Sequence, residues 1–456
     1  MNSVKSSMPI EKEYQNLTDK TFSALLKTGK VSTGHRYSIL GRNPYLIFRS
    51  KGNSITLEKS AGKKSYRGDP LFYLQKTINF YSTLKFPKNI FFPGGAIGCL
   101  SYDLKDLIET FSCQGIDELN LPEIYFFFFR EFLIFDELEK KYIQIKIFLN
   151  NNKALPLPHT NQSSRPSLGK LTSNFNKQEY MKAIEEVRQH IIRGDIYQAN
   201  IAQRFKVNFS GDSFLLFKKI NAVNPAPMSA YLNCGNFNLI STSPERLLRK
   251  TGLTLESRPI KGTIQRGKTK LTDKKNKQKL LNSAKESAEL SMIIDLMRND
   301  LGKIASPGSV EVVEAKKLEK YSNVFHLAGV IKAKLAPKTT FTEIIKSCLP
   351  GGSVTGCPKL EAMKIIESIE KIKRGFYCGS IGYLGFNGDF DFNIAIRTFI
   401  EKSNCLYFSL GGGITYDSSP LAEYEETLHK GESMFKVLEE VFKGRERIYA
   451  FPTNIK

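Results

Sequence analysis

The chain reads as an α+β protein whose strands are mostly antiparallel neighbours. Three observations lead there. The first third is rich in strand-like stretches, at Tyr45-Phe48, Ile124-Phe135 and Tyr142-Phe148, where β-branched and aromatic residues concentrate. Helical periodicity appears later, in a few well-delimited segments. Short strands then recur around Gly379-Phe386, Ile394-Ile400 and Leu406-Leu410, between and before helices rather than alternating one-for-one with them.

Taken in chain order, residues 1–150 form an N-terminal region and residues 151–174 a linker, in which Pro156, Pro158 and Pro166 stand among Asn, Ser and Thr residues. Residues 175–445 form the second region, and 446–456 a C-terminal tail. The second region opens with a helix. Asn176 caps it, Glu179 completes a capping box, and Tyr180, Ala183, Ile184, Val187 and Ile191 recur at helical spacing before Gly194 ends it. A strand is expected over Ile196-Phe209, a second helix over Lys277-Ile304 and a third over Leu421-Phe442. No internal repeat is present. The most apolar run, Ile124-Phe129, is cut by Arg130 and Glu131 and reads as a buried strand; it falls far short of the roughly 20 residues a membrane helix needs.

With 456 residues the chain can bury a large core. A net charge of +22 raises nucleic acid as a first guess, but the lysines are dispersed and the densest run, Lys268 to Lys279, reads as a solvated loop entering a helix. A positive field also draws anionic small molecules or an acidic partner protein. The seven cysteines form no CxxC and no secreted disulfide framework, and the N-terminus carries no apolar signal core, so a reducing cytoplasm is expected, with no membrane and no nucleic acid as partner.

Several constellations bear chemistry. In Pro259-Ile260-Lys261-Gly262-Thr263 a lone lysine sits between an apolar residue and a glycine, at a strand edge or turn; where water is scarce such an amine can shed its proton and act as a nucleophile. Glu423, Glu426 and Lys430 share one helix face, and Glu286, Glu289 and Ile293 share another. Two carboxylates from distant helices would make a hard oxygen site of the kind Mg²⁺ uses with substrate oxygens; solvent-facing ion pairs are the plainer reading of either helix alone. The glycine-rich loop Pro350 to Lys359 lacks the ending of a nucleotide-binding loop, because Cys357-Pro358 intervenes. Gly411-Gly412-Gly413 could bring backbone N–H groups close to a carboxylate, or could be a tight turn. Arg397 could grip a carboxylate or sit in a structural ion pair, and His326, between Phe325 and Leu327, reads on pattern alone as a satisfied core residue.

Together these strings resemble the chorismate-utilising enzymes, the family of anthranilate synthase and aminodeoxychorismate synthase component I with the isochorismate and salicylate synthases as cousins. The matching elements are Gly194 to Asn200, Ser243-Pro244-Glu245-Arg246, the Pro259–Thr263 stretch, Asp295 to Gly302, Pro350 to Lys359, Gly379 to Tyr383, Ile396-Arg397-Thr398, Gly411 to Thr415 and Ala422 to Thr427. They stand in the family's order over roughly 175 to 440. Arg36 to Gly41, Gly94 to Gly98 and Ser101-Tyr102-Asp103 resemble its N-terminal part more loosely. The resemblance implies one large body built as a sandwich of two stacked antiparallel β-sheets flanked by helices. It implies Mg²⁺ at Glu289 and Glu426, holding the substrate carboxylate. Gln198, Thr263, His326, Tyr377, Arg397, Lys430 and Gly411, Gly412 and Gly413 would contact chorismate, and Glu245 would act as general acid.

Two positions then select the reaction. Isochorismate-type cousins carry a water-activating lysine where this chain has Gln198, which disfavours that branch. Anthranilate synthases carry alanine where this chain has Lys261, and aminodeoxychorismate synthases carry lysine. The resemblance therefore implies conversion of chorismate plus ammonia to 4-amino-4-deoxychorismate through a covalent Lys261 intermediate, feeding p-aminobenzoate and folate. The alternatives are anthranilate synthesis, or a basic binding protein that kept the fold and lost catalysis. The chain carries no glutaminase signature, so a separate glutamine amidotransferase subunit is expected to supply the ammonia. Thr28, Pro227 and Met228 fall where the family keeps a regulatory pocket; Lys27-Thr28 departs from the family's Glu-Ser there, which argues against tryptophan as its ligand.

Overall fold

The computed structural model describes residues 2–5, 8–17, 21–29, 35–82, 91–111, 115–148, 153–155, 167–321 and 324–441. The C-terminal tail, Phe442 and much of the 151–174 linker lie outside the described residues.

Every strand pairing between named strands is antiparallel, and the strands form two arms that share one root. The root is a pair of long strands, Tyr37–Lys51 and Ile124–Asp136, paired along most of their length. Both are dense in Phe, Tyr, Ile and Leu, and Phe126, Phe127, Phe128 and Phe129 are all buried. Four successive buried positions rule out a sheet with one wet face; this strand has protein on both sides. The first arm runs from the root through Ser23–Lys27, Met228–Asn233, Phe237–Ser243 and Thr398–Lys402 to Cys405–Ile414 and Gln198–Ser210. The second runs through Gly95–Leu100, Ser380–Gly385, Phe390–Asn393, Arg246–Thr251 and Thr254–Arg258 to Val324–Lys334, which also pairs with Ile260–Gln265 and Glu311–Lys320. The main hydrophobic core takes side chains from both arms, among them Leu232 and Leu239 from the first and Leu248, Leu255 and Leu327 from the second. This is the expected two-layer arrangement, with the layers joined at one side. N-terminal strands are woven into both arms, so the N-terminal and C-terminal parts of the chain share one core.

Helices cover the outer faces. Ser213–Val223 and Pro420–Val441 pack Phe214, Phe217, Met434 and Phe435 on the first arm, and Lys177–Ile192 and Lys359–Glu370 pack on the Gln198–Ser210 strand. Ala284–Gly302 covers the second arm, with Leu290, Ile293, Ile294 and Met297 buried. Among the described residues no helix is long and apolar enough to cross a membrane.

The Lys177–Ile192 helix begins at the expected capping box, and Gly194 takes the left-handed conformation just beyond its end. The segment expected as one helix over Lys277-Ile304 is two. Lys270–Leu281 stops at Asn282, and Ser283, whose side chain accepts from the Glu286 amide, starts Ala284–Gly302 afresh. A serine cap inside a polar run breaks a helix that composition alone would continue. The strand expected over Ile394-Ile400 is interrupted as well. Phe390–Asn393 and Thr398–Lys402 are strands, and between them Arg397 adopts φ +51°, a left-handed conformation that no strand tolerates. The strand expected over Ile196-Phe209 alternates in burial only from Phe205 onward; positions 198 to 205 are all buried, since helices back one face and the core the other.

Candidate active site

A cavity of about 560 Å³ opens where the free ends of the two arms meet beneath the Ala284–Gly302 and Pro420–Val441 helices. The second arm contributes the Ile260–Gln265 strand. Its pairing slips by one residue between Lys261 and Thr263, so that Gly262 is the extra residue of a β-bulge with φ +71°. A bulge re-aims the side chains beside it, and here both Lys261 and Thr263 line the cavity. The Lys261 ammonium lies 3.3 Å from a Glu289 oxygen, with its side chain 13% exposed. It is sheltered from bulk water and next to one member of the expected acidic pair.

Glu289 belongs to the helix that Ser283 starts, and the other acidic residue, Glu426, belongs to the last helix; both line the cavity, together with Glu286 and Glu423. Burial pushes the Glu286 and Glu423 carboxyls up. Burial acts on Glu426 in the same direction and most strongly, but the Lys430 ammonium 2.7 Å away, together with Lys285 and Lys261, outweighs it and holds Glu426 below its usual value. Among the described residues no three acidic, histidine or cysteine side chains are close enough to hold a metal by themselves. Two carboxylates facing one cavity from separate helices are nevertheless hard oxygen donors that fit Mg²⁺ when substrate oxygens and water complete its shell.

The first arm contributes the glycines. Gly411 and Gly413 stand opposite Ala202 and Asn200, whose amides bond elsewhere, to Glu370 Oε1 and the Thr355 carbonyl. They therefore occupy the non-hydrogen-bonded pairs of the ladder, and their own N–H and C=O groups point away from that neighbour. The Gly411 carbonyl accordingly accepts from Lys430 at 3.0 Å. Gly412 alternates with them; its peptide belongs to the ladder with Ile201, and its Cα faces Glu423 and Glu426. The expected run of three cavity amides is thus two. Gln198 is buried against Gly413 on the cavity side, and its Oε1 has no hydrogen-bond partner among the described residues.

Glu245 is wholly buried, and that burial lifts its carboxyl to about 7, against hydrogen bonds from Ser353 (2.6 Å) and the Ile260 amide (3.3 Å) and the field of Lys261. A carboxyl that keeps its proton near neutrality is suited to general-acid work. Arg397 is half-buried, with no carboxylate partner among the described residues; its polar contact is Asn224 Oδ1 at 3.5 Å. A partly desolvated guanidinium that faces a cavity without a carboxylate partner is a receptor for an anion. His326 lies 2.7 Å from the Thr263 hydroxyl, and burial, reinforced by Arg397, lowers it to about 3, so it is neutral. Tyr377 lines the same wall.

The matches to known proteins agree with this arrangement. The family model described as chorismate binding enzyme matches residues 32–436. The chain is a chorismate-binding enzyme. Its relatives include aminodeoxychorismate synthase component 1 of Bacillus subtilis, 35% identical over 89% of this chain and 90% of that one. Anthranilate synthase component 1 of Acetivibrio thermocellus is 34% identical over 89% and 87%. Among solved structures, anthranilate synthase component I from Streptococcus pneumoniae superposes with a TM-score of 0.77 at 29% identity, covering 94% of this chain and 97% of that one. A Bacillus anthracis isochorismate synthase shares the fold, with a TM-score of 0.70 at 20% identity over 94% and 99%.

In this chorismate-binding enzyme Lys261, Glu245, Glu289, Glu426, Thr263, His326, Tyr377, Arg397, Gly411, Gly413 and Lys430 all line one cavity, with Gln198 packed against Gly413. Thr28, Pro227 and Met228 are not there. They line a second cavity of about 360 Å³ with Lys27, His35 and Arg249. Sequence reasoning passed over Ser353 and Asn224. Ser353 was marked only by its place in the Pro350 to Lys359 string, because the contacts of both are made with residues more than a hundred positions away.

Proposed function

We propose that this chorismate-binding enzyme is component 1 of an aminodeoxychorismate synthase, converting chorismate and ammonia to 4-amino-4-deoxychorismate and water. The supporting observation is the lysine: Lys261 sits inside the cavity, 3.3 Å from Glu289, on a bulge that turns it there. In an enzyme that adds ammonia directly to the ring carbon nearest the carboxylate-bearing one, that place would be better left empty.

The chemistry proceeds in two displacements. Chorismate enters with one of its two carboxylates toward Arg397 and the outward-facing amides of Gly411 and Gly413. Lys261, once its ammonium has given up a proton, bonds through the amine nitrogen to the ring carbon beside the carboxylate-bearing one. The double bonds shift, the bond to the ring hydroxyl breaks with its electron pair on oxygen, and Glu245 delivers a proton so that water leaves. Ammonia then bonds at the former hydroxyl-bearing carbon, the double bonds shift back, the lysine departs with the pair of its C–N bond, and the proton shed by the new ring ammonium restores the Glu245 acid. The new amine stands para to the carboxylate. Glu289 and Glu426 would hold Mg²⁺, which supplies charge neutralisation for a dianionic substrate. The cavity walls exclude water, and the neutral His326 with Thr263 offers a hydrogen-bonding edge that does not compete for the carboxylate as an imidazolium would.

Ammonia would come from a glutamine amidotransferase subunit. The second cavity, at Thr28, Pro227 and Met228, is proposed as a regulatory pocket. Anthranilate synthesis is the second reading, favoured by relatives of nearly equal identity. The deciding assay supplies purified protein with chorismate, Mg²⁺ and ammonia. The proposal expects no anthranilate fluorescence, and p-aminobenzoate only after a lyase is added; direct anthranilate release would overturn it.

A further inference from the structure

The glycine-rich loop Pro350 to Lys359 has no role in the steps above, yet it is one of the most tightly packed segments of the cavity wall. A Cβ on Gly351 would meet Ile394 and Leu247 at 3.0 and 3.1 Å, and one on Gly352 would meet Leu296 at 2.5 Å. Thr355 Oγ1 bonds back to the Gly351 and Gly352 carbonyls at 3.0 and 3.3 Å, and Lys359 is ion-paired with the buried Asp300. The turn Gly352–Val354 that this packing produces holds Ser353 with its hydroxyl 2.6 Å from Glu245 Oε1. The Ile260 amide donates to that same oxygen at 3.3 Å. No donor among the described residues is recorded on Oε2.

We infer that Ser353 is a positioning residue for the acid: with Oε1 taken by the Ser353 hydroxyl and the Ile260 amide, the proton resides on Oε2, and Oε2 is the oxygen that delivers it to the departing hydroxyl. Oε1 then acts as an acceptor in both protonation states, as the carbonyl oxygen of the acid before transfer and as part of the carboxylate after it. The carbon–oxygen bond of the substrate breaks with its pair on oxygen, the Oε2 proton joins it, and water leaves. The same hydroxyl favours the ionised form, so Ser353 also limits how far burial raises the acid. The other charged or titratable groups recorded as acting with Glu245 are Lys261, from the neighbouring strand, and the Cys378 thiol. This inference rests on the proposed general-acid role of Glu245.

The test compares wild type with Ser353→Ala, Ser353→Cys and Ser353→Thr, following Mg²⁺-dependent chorismate consumption with ammonia across pH 5.5 to 9. Consumption of chorismate reads the step whichever amine is formed. Loss of the donor is expected to lower kcat by roughly tenfold with KM little changed, as for a hydrogen bond to a charged group, and to move the alkaline limb of kcat upward. Ser353→Thr should restore both, and Ser353→Cys, which keeps the volume with a weak donor, should resemble Ser353→Ala even if the alanine variant folds poorly. An unshifted limb with wild-type kcat in Ser353→Ala or Ser353→Cys would overturn the positioning role. A wild-type limb that Glu245→Gln does not remove would instead overturn the acid role beneath it.

Discussion

Lys261 and Glu245 divide the proposed chemistry between a nucleophile and an acid, and each makes a prediction. Lys261→Ala should abolish aminodeoxychorismate formation while leaving chorismate binding measurable by calorimetry; unchanged turnover to the same product would refute the covalent role. Glu245→Gln keeps shape and loses the proton, and should lower kcat by roughly 10²–10⁴-fold. The pH dependence has a definite sign. Because the acid must carry its proton, activity should fall as pH rises through about 7. Stability follows the same group. Its folded value of about 7 stands above its usual 4.5, so the native protein retains a proton that the unfolded chain releases between those values. Stability is therefore lost as pH rises through this window, and the ionised carboxylate costs about 3 kcal/mol above it. Glu245→Gln should accordingly melt higher than wild type at pH 8.5, with the gain fading towards pH 5. Equal melting temperatures throughout would show that the carboxyl is not desolvated.

At the scale of elements, the site depends on two interruptions of regular structure. The bulge at Gly262 turns Lys261 and Thr263 into one cavity. Its φ of +71°, with Glu286 Oε2 and Leu280 Cδ1 each 2.9 Å from where a Cβ would stand, leaves no room for a side chain. Gly262→Ala should cost about 1–2 kcal/mol from backbone strain alone, read by denaturant unfolding, and should reduce kcat more than KM. The helix break at Asn282-Ser283 starts a new helix whose first turns carry Glu286 and Glu289. Capping was legible where the signal was local, as at Asn176 with Glu179. The break was not, because Ser283 sits in a polar run where neither periodicity nor composition changes. Arg397 was legible as a lone cation among apolar residues, but its left-handed backbone was not, since tertiary contacts and not residue type impose it. The role of Ser353 was hidden for a related reason: its partner lies 108 residues away, in the short connection between the Phe237–Ser243 and Arg246–Thr251 strands.

Across the whole molecule, buried charge ties the first arm to the helix and loop packed on it. Arg374 donates to Glu370, to the Asn200 carbonyl of the first arm and to the Val354 carbonyl of the glycine-rich loop. Removing it would leave Glu370 buried without its cation, so Arg374→Met should destabilise the protein by roughly 3–5 kcal/mol, measured by urea unfolding. The antiparallel architecture and the single core were readable from strand composition and ordered motifs. The joining of both layers at the 37–51 and 124–136 strands was not, because pairing between distant strands leaves no local pattern. The arms converge on the cavity that holds Lys261, and what that lysine does is the claim that matters most. Mass spectrometry of the protein mixed with chorismate and Mg²⁺, without ammonia, tests it. The proposed mechanism predicts a covalent adduct of chorismate less water, mapped to Lys261; an unmodified Lys261 peptide, in protein that consumes chorismate once ammonia is added, would contradict it.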